Sequence, residues 1–184
     1  MNSNTTSQLA ALLSLFYSTE SAVGSFAQVE AESLTPIAAK LLAHDYHMTV
    51  TLEQHHGCPV DVHVIESKIE GDRYSRKITL TRQSDDAVVM FGLVRMDRTV
   101  FAASVLEEIE SQRTPLGRVL IENDVLRAVK LLNLYRIEAS ADLAQLLMID
   151  EGSICFGRTA MIYCDSKPAI ELLEVVQSDH ENDI

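Results

Sequence analysis

The stretch Arg73-Tyr74-Ser75-Arg76-Lys77-Ile78-Thr79-Leu80-Thr81 constrains this chain most. Taken with period two, Tyr74, Arg76, Ile78 and Leu80 share one face and Ser75, Lys77, Thr79 and Thr81 the other, the pattern of a half-buried strand. A guanidinium therefore stands in the row that faces the core. A buried charge is costly unless something pairs with it. Either Arg76 snorkels to water or meets an internal carboxylate, or it awaits an anionic ligand, whose carboxylate its planar fork matches in two places.

The last two apolar runs repeat the oddity. Ile154, Phe156, Arg158, Ala160 and Ile162 alternate onto one face, as do Ile170, Leu172, Glu174 and Val176. Two arginines and one glutamate thus sit in otherwise apolar rows. If Glu174 pairs with either arginine, one arginine is left over. The alternative is a closed pocket for a small molecule with two carboxylates, with Glu174 as a polar contact or acid/base group. Alternation leaves both open. Thr114-Pro115-Leu116-Gly117 adds a helix start, Thr114 as its cap, whose free N–H groups attract a carboxylate.

The rest of the chain reads as follows. Residues 1–7 are polar and expected to be unstructured, Gln8 to Tyr17 a helix, and Ser18 to Ser33 a connection of small residues. Thr35-Pro36 opens a second helix. Met48, Val50 and Leu52 alternate with Thr49, Thr51 and Glu53, which predicts a strand turning at His55-His56-Gly57 into a second strand through Val60, Val62 and Val64. The Arg76 strand follows, then a strand over Ala87 to Met96 that is apolar on both faces and therefore central. Val100 to Gln112 has helical spacing, Val125 to Ile137 leans to strand, Ala141 to Met148 to helix. Ile154 to Cys164 and Pro168 to Val176 are strands around Asp165-Ser166. Consecutive strands joined by tight turns predict an α+β fold: a single, largely antiparallel β-sheet flanked by helices lying on one side, in a single domain over residues 1–184.

The formal charge of −12 over 184 residues argues against sequence-independent binding to nucleic acid or to an anionic membrane surface. No Lys or Arg precedes the apolar run Leu9 to Phe16, and no run approaches a membrane span, so a cytoplasmic protein is expected. Cys58, Cys155 and Cys164 lack CxxC spacing and read as free thiols. His44 and His47 have HxxH spacing without a convincing third ligand, so no metal is expected. The glycines form no phosphate loop, so no nucleotide cofactor is expected either.

Taken together, Leu41-Leu42-Ala43-His44-Asp45-Tyr46-His47-Met48-Thr49, the Arg73–Leu80 strand, Thr114-Pro115-Leu116-Gly117-Arg118, and Phe156-Gly157-Arg158 followed by Lys167-Pro168 and Glu174 resemble the chorismate–pyruvate lyase (4-hydroxybenzoate synthase) family over residues 41–176. The resemblance implies a chorismate-lyase-like fold and a cofactor-independent lyase. It would convert chorismate to 4-hydroxybenzoate and pyruvate in a pocket sealed from solvent, within aromatic and ubiquinone biosynthesis. By the same resemblance Arg76 and Glu174 are catalytic, Arg76 gripping the ring carboxylate and Glu174 meeting the 4-hydroxyl. Met48 and Leu116 wall the ring, and Arg158 takes the enolpyruvyl carboxylate. The tail Leu173-Glu174-Val175-Val176-Gln177 departs from relatives that often carry Phe-Pro after the glutamate. The partners so implied are chorismate and an aromatic product, without nucleic acid or membrane.

Domains of this shape also resemble the effector-sensing halves of bacterial GntR-type transcription regulators, which bind small molecules and catalyse nothing. The first 35 residues hold no Lys or Arg, which speaks against a basic helix-turn-helix there. Another chorismate-consuming enzyme is the third reading.

Overall fold

The computed structural model describes residues 3–125 and 127–177. In chain order the elements are α1 (Ser3–Leu13), β1 (Gly24–Val29), α2 (Pro36–Leu42), α3 (Met48–His56), β2 (Val60–Glu70), β3 (Arg73–Arg82), β4 (Val88–Asp97), α4 (Ala103–Glu110), α5 (Leu116–Glu122), β5 (Arg127–Ala139), α6 (Ala141–Leu147), β6 (Ile154–Cys164) and β7 (Lys167–Gln177). The seven strands form one sheet in the order β1-β5-β6-β7-β4-β3-β2, and every neighbouring pair is antiparallel. This is the α+β architecture that the alternation predicts.

Both faces of the sheet are covered, which corrects the expectation of helices on one side. Alternation along β4 sends Phe91 and Leu93 to the back, where α1 and α6 pack through Leu9, Leu12, Leu13, Leu143 and Leu147. Met90, Gly92 and Val94 go to the front. There two apolar clusters lie side by side, one under α2 and α3, the other under α4 and α5. A strand apolar on both faces needs a layer on each, because burying its side chains is what holds it in place.

Residues 48–56 form a helix and not the strand expected from Met48, Val50 and Leu52. Met48 and Leu52, four apart, are buried together while Val50 is half-buried, so the helical period is the one that reaches the core. His55-His56-Gly57 ends this helix instead of turning a hairpin, Gly57 closing it in the left-handed region at φ 67°. α2 begins as its cap predicts: Thr35 Oγ1 accepts from the Ala38 N–H at 3.2 Å with Pro36 following. α5 starts one residue later than expected, with Pro115 and not Thr114 at the cap position. β1, an edge strand within the expected connection, and the start of α1 at Ser3 also differ from the sequence reading. Residues 1–2 of the segment expected to be unstructured lie outside the described residues.

Candidate functional site

The front face carries a row that crosses five strands: Ile78, Gly92, Glu174, Arg158 and Leu134, on β3, β4, β7, β6 and β5. Four of the five positions carry a large side chain, and Gly92, between Ile78 and Glu174, carries none. Beside this row runs another, Arg76, Val94, Leu172 and Ala160. The missing side chain at Gly92 leaves a hollow between the two front clusters. A Cβ there would approach Ile78 Cγ1 and Met90 Cε, each at 3.2 Å.

That hollow is a cavity of about 40 Å³. Met48, Arg76, Leu116, Arg158 and Glu174, the five residues singled out in the sequence, all line it, together with Ile78, Leu80, Met90, Val94, Ile162 and Leu172. Its roof is the start of α3, the start of α5 and the strap of residues 43–47. Arg118 of α5 bonds Glu53 of α3, and Glu53 also accepts from the Val60 N–H at 3.2 Å, so the two roof helices are fastened to each other and to β2. A Cβ at Gly117 would lie 3.0 Å from Thr49 Oγ1; only a glycine lets the helix starts approach so closely.

The two arginines have opposite circumstances. Both are fully buried. Arg158 Nε donates to Glu174 Oε2 at 2.7 Å. Its Nη1 donates to the carbonyl oxygens of His44 (2.8 Å) and Leu42 (3.4 Å), and its Nη2 to that of Tyr46 (3.1 Å). Its hydrogen-bonding capacity therefore goes to the chain itself. Arg76, by contrast, has no hydrogen-bond partner for Nε, Nη1 or Nη2 among the described residues. Desolvation lowers its pKa from the ordinary value, and the nearby Tyr74 hydroxyl opposes the fall without meeting any of the three nitrogens in bonding geometry. That hydroxyl takes a hydrogen bond from Gln112 Nε2 at 3.3 Å. An arginine side chain stays protonated in proteins, so the charge remains to be met.

The histidines expected to fall short of a metal site are engaged otherwise. His44 Nε2 faces the Leu41 carbonyl at 2.7 Å and Nδ1 accepts from the Tyr46 N–H at 3.1 Å, which assigns the proton to Nε2. Burial first and then Arg158 lower its pKa. His47 borders the cavity and its Nε2 accepts from Arg127 Nε at 2.7 Å. Burial, then Arg127 and Arg158, push His47 down to about 4. Both rings are thus neutral at pH 7. Outside, Tyr46, His47 and Val129 also border a surface depression shared with Asp45, Asp124 and Arg127.

Sequence reasoning missed the strap, because backbone carbonyls leave no mark in a sequence. It also passed over Ile162 and Leu172, which its own alternating rows place in line with Arg158 and Glu174, and over Val94 and Gly92, whose position in a central apolar strand was the signal.

No protein-family model matches the sequence, and no curated protein matches it. Solved structures share the fold. The effector domain of PhnF from Mycobacterium smegmatis is 12% identical over 73% of this chain and 90% of that one, with a TM-score of 0.53. PhnF itself is 12% identical over 72% of this chain and 64% of its own length, with a TM-score of 0.52. The ligand-binding domain of a protein assigned to the GntR family of transcriptional regulators, from Bordetella bronchiseptica, is 17% identical over 66% of this chain and 87% of that one, with a TM-score of 0.49.

These findings correct the enzyme expectation. The fold is shared with the effector domain of PhnF and no family model supports a lyase, so the likeness to chorismate lyase goes no further than the fold. The site agrees with the correction: the Glu174 carboxylate that an acid/base step would use and the Arg158 guanidinium that a second substrate carboxylate would need are tied to each other. Lyase action on chorismate, release of pyruvate and 4-hydroxybenzoate, and a place in ubiquinone or aromatic biosynthesis fall with it. The expectation of no nucleic acid among the partners is corrected too: the fold is shared with the effector domain of PhnF, which is one part of a longer protein, so the charge of such a domain does not decide the partners of the whole. Net charge bears on what a surface touches directly, not on what a regulatory domain controls. Among the described residues no helix is long and apolar enough to cross a membrane.

Proposed function

We propose that this chain is a small-molecule-sensing domain of the kind found in GntR-type regulators, and that its cavity holds a small anion with an apolar body. The observation that carries this is Arg76: a fully buried guanidinium whose three nitrogens are unbonded among the described residues, lining a cavity whose walls are mostly apolar and whose other charged groups, Arg158 and Glu174, are paired with each other. A folded chain tolerates such a group when an anionic partner completes it. Met48, Leu116 and Leu172 supply the walls for the apolar part. Arg158 and Glu174 close the far side of the cavity as a pair. The free space is that of a few waters, so a ring-sized guest enters by displacing the flexible ends of Met48 and Met90.

The test is calorimetric titration of the purified chain with benzoate and with uncharged benzamide. Binding of benzoate alone, lost in Arg76→Met, is the expected outcome. Equal binding of both, or undiminished benzoate binding by the variant, would remove Arg76 from the site.

A further inference from the structure

We propose that Glu174 sets the charge of the guest: by neutralising Arg158 within the cavity, it restricts the site to molecules carrying one anionic group. This rests on the anion-binding reading above. Of the basic and acidic side chains lining the cavity, Arg76 and Arg158 are cationic and Glu174 is anionic, and His47 and the adjacent His44 are neutral. Arg127, Asp45 and Asp124 lie on the outer side of the strap wall. The pair Arg118 and Glu53 cancels within the roof. One positive charge is left inside, and it belongs to Arg76.

Geometry gives that tally a direction. Arg76 and Glu174 stand two strands and two residues apart on one face, which puts their Cα atoms roughly 12 Å from each other. Gly92 lies between them, so a guest gripped by Arg76 at one end extends over the glycine towards Glu174. A second carboxylate at that end would meet a carboxylate. Arg158 offers it no fork, because its nitrogens already serve Glu174 and the carbonyls of Leu42, His44 and Tyr46. In a buried cavity that repulsion is large enough to decide which guest binds.

The measurement compares 4-nitrobenzoate with terephthalate. Nitro and carboxylate groups have nearly the same shape, so the two probes differ mainly by one charge. The chain should bind 4-nitrobenzoate at least about tenfold more tightly than terephthalate. Glu174→Gln, which keeps an oxygen for Arg158 Nε, should reduce or invert that ratio. The double variant Arg158→Gln/Glu174→Gln restores a single positive charge and should restore the original ratio, a recovery that a merely structural role for Glu174 would not produce. Equal affinities in the unmodified chain, or the same ratio in all three proteins, overturns the proposal while leaving the anion site standing. Failure of both probes to bind the unmodified chain overturns the anion site itself and this proposal with it. Because the unmodified chain alone already tests the ratio, poor folding of a variant does not shelter the idea.

Discussion

Arg158 and Glu174 stand directly opposite each other on β6 and β7, bonded at 2.7 Å with both side chains buried, while Arg76 on the same face has no such bond among the described residues. The contrast separates a pair that the fold has completed from a charge that it has not.

The completed pair should behave as a unit. Glu174→Ala leaves Arg158 buried and uncompensated, and should cost about 3–5 kcal/mol in urea unfolding. The double replacement Arg158→Met/Glu174→Leu removes both charges and should recover most of that loss. A double variant as unstable as the single one would show that the strap contacts of Arg158, and not its charge balance, dominate.

The uncompleted charge should show the reverse. Arg76→Met exchanges an unbonded guanidinium for an apolar side chain of similar length. The empty protein should gain about 1–3 kcal/mol, and the stabilisation by benzoate should vanish. Thermal unfolding with and without benzoate reads both effects at once. A loss of stability in the empty variant would mean that Arg76 has a partner.

Gly92→Ala tests the origin of the cavity. The added methyl lies against the movable ends of Ile78 and Met90, so the fold should lose no more than about 1–1.5 kcal/mol. Benzoate affinity should drop by about tenfold or more, since the methyl fills the hollow between Arg76 and Glu174. Unaltered affinity in calorimetry would place the guest elsewhere.

His47 gives the pH dependence. Its folded pKa of about 4 lies below the ordinary 6.5, so the unfolded chain takes up the proton first as pH falls. The stability associated with the neutral ring is complete above pH 6.5, declines as pH drops from 6.5 towards 4, and changes no further below. The decline should be on the order of 2–3 kcal/mol. His47→Asn should flatten that part of the profile relative to the unmodified chain when unfolding is followed by urea titration at pH 7.5 and 4.5. Parallel profiles would assign the titration to other groups.

What the sequence disclosed followed from periodicity. Period two over β3, β6 and β7 was enough to place Arg76, Arg158 and Glu174 on one face, because each strand is long and its rows are mostly apolar. Whether Glu174 paired with Arg76 or Arg158 depended on strand order, which alternation does not contain. Met48, Val50 and Leu52 satisfied a strand pattern and, through Met48 and Leu52, a helical one; nine residues rich in β-branched side chains were too few for the period to decide. β1 was silent because it is an edge strand whose burial does not alternate. The second helical layer was foreshadowed by a strand apolar on both faces, a clue to coverage and not only to a central place.

The backbone of the strap over the cavity is gathered by the guanidinium of Arg158. Two of its peptide oxygens, at residues 44 and 46, converge on Arg158 with that of Leu42 at the end of α2, and Arg158 in turn holds Glu174. Tyr46 at the end of that chain of bonds is 71% exposed. A molecule that nudges the glutamate inside therefore pulls on a lever whose far arm is an aromatic ring on the outer surface, where another protein segment can feel it.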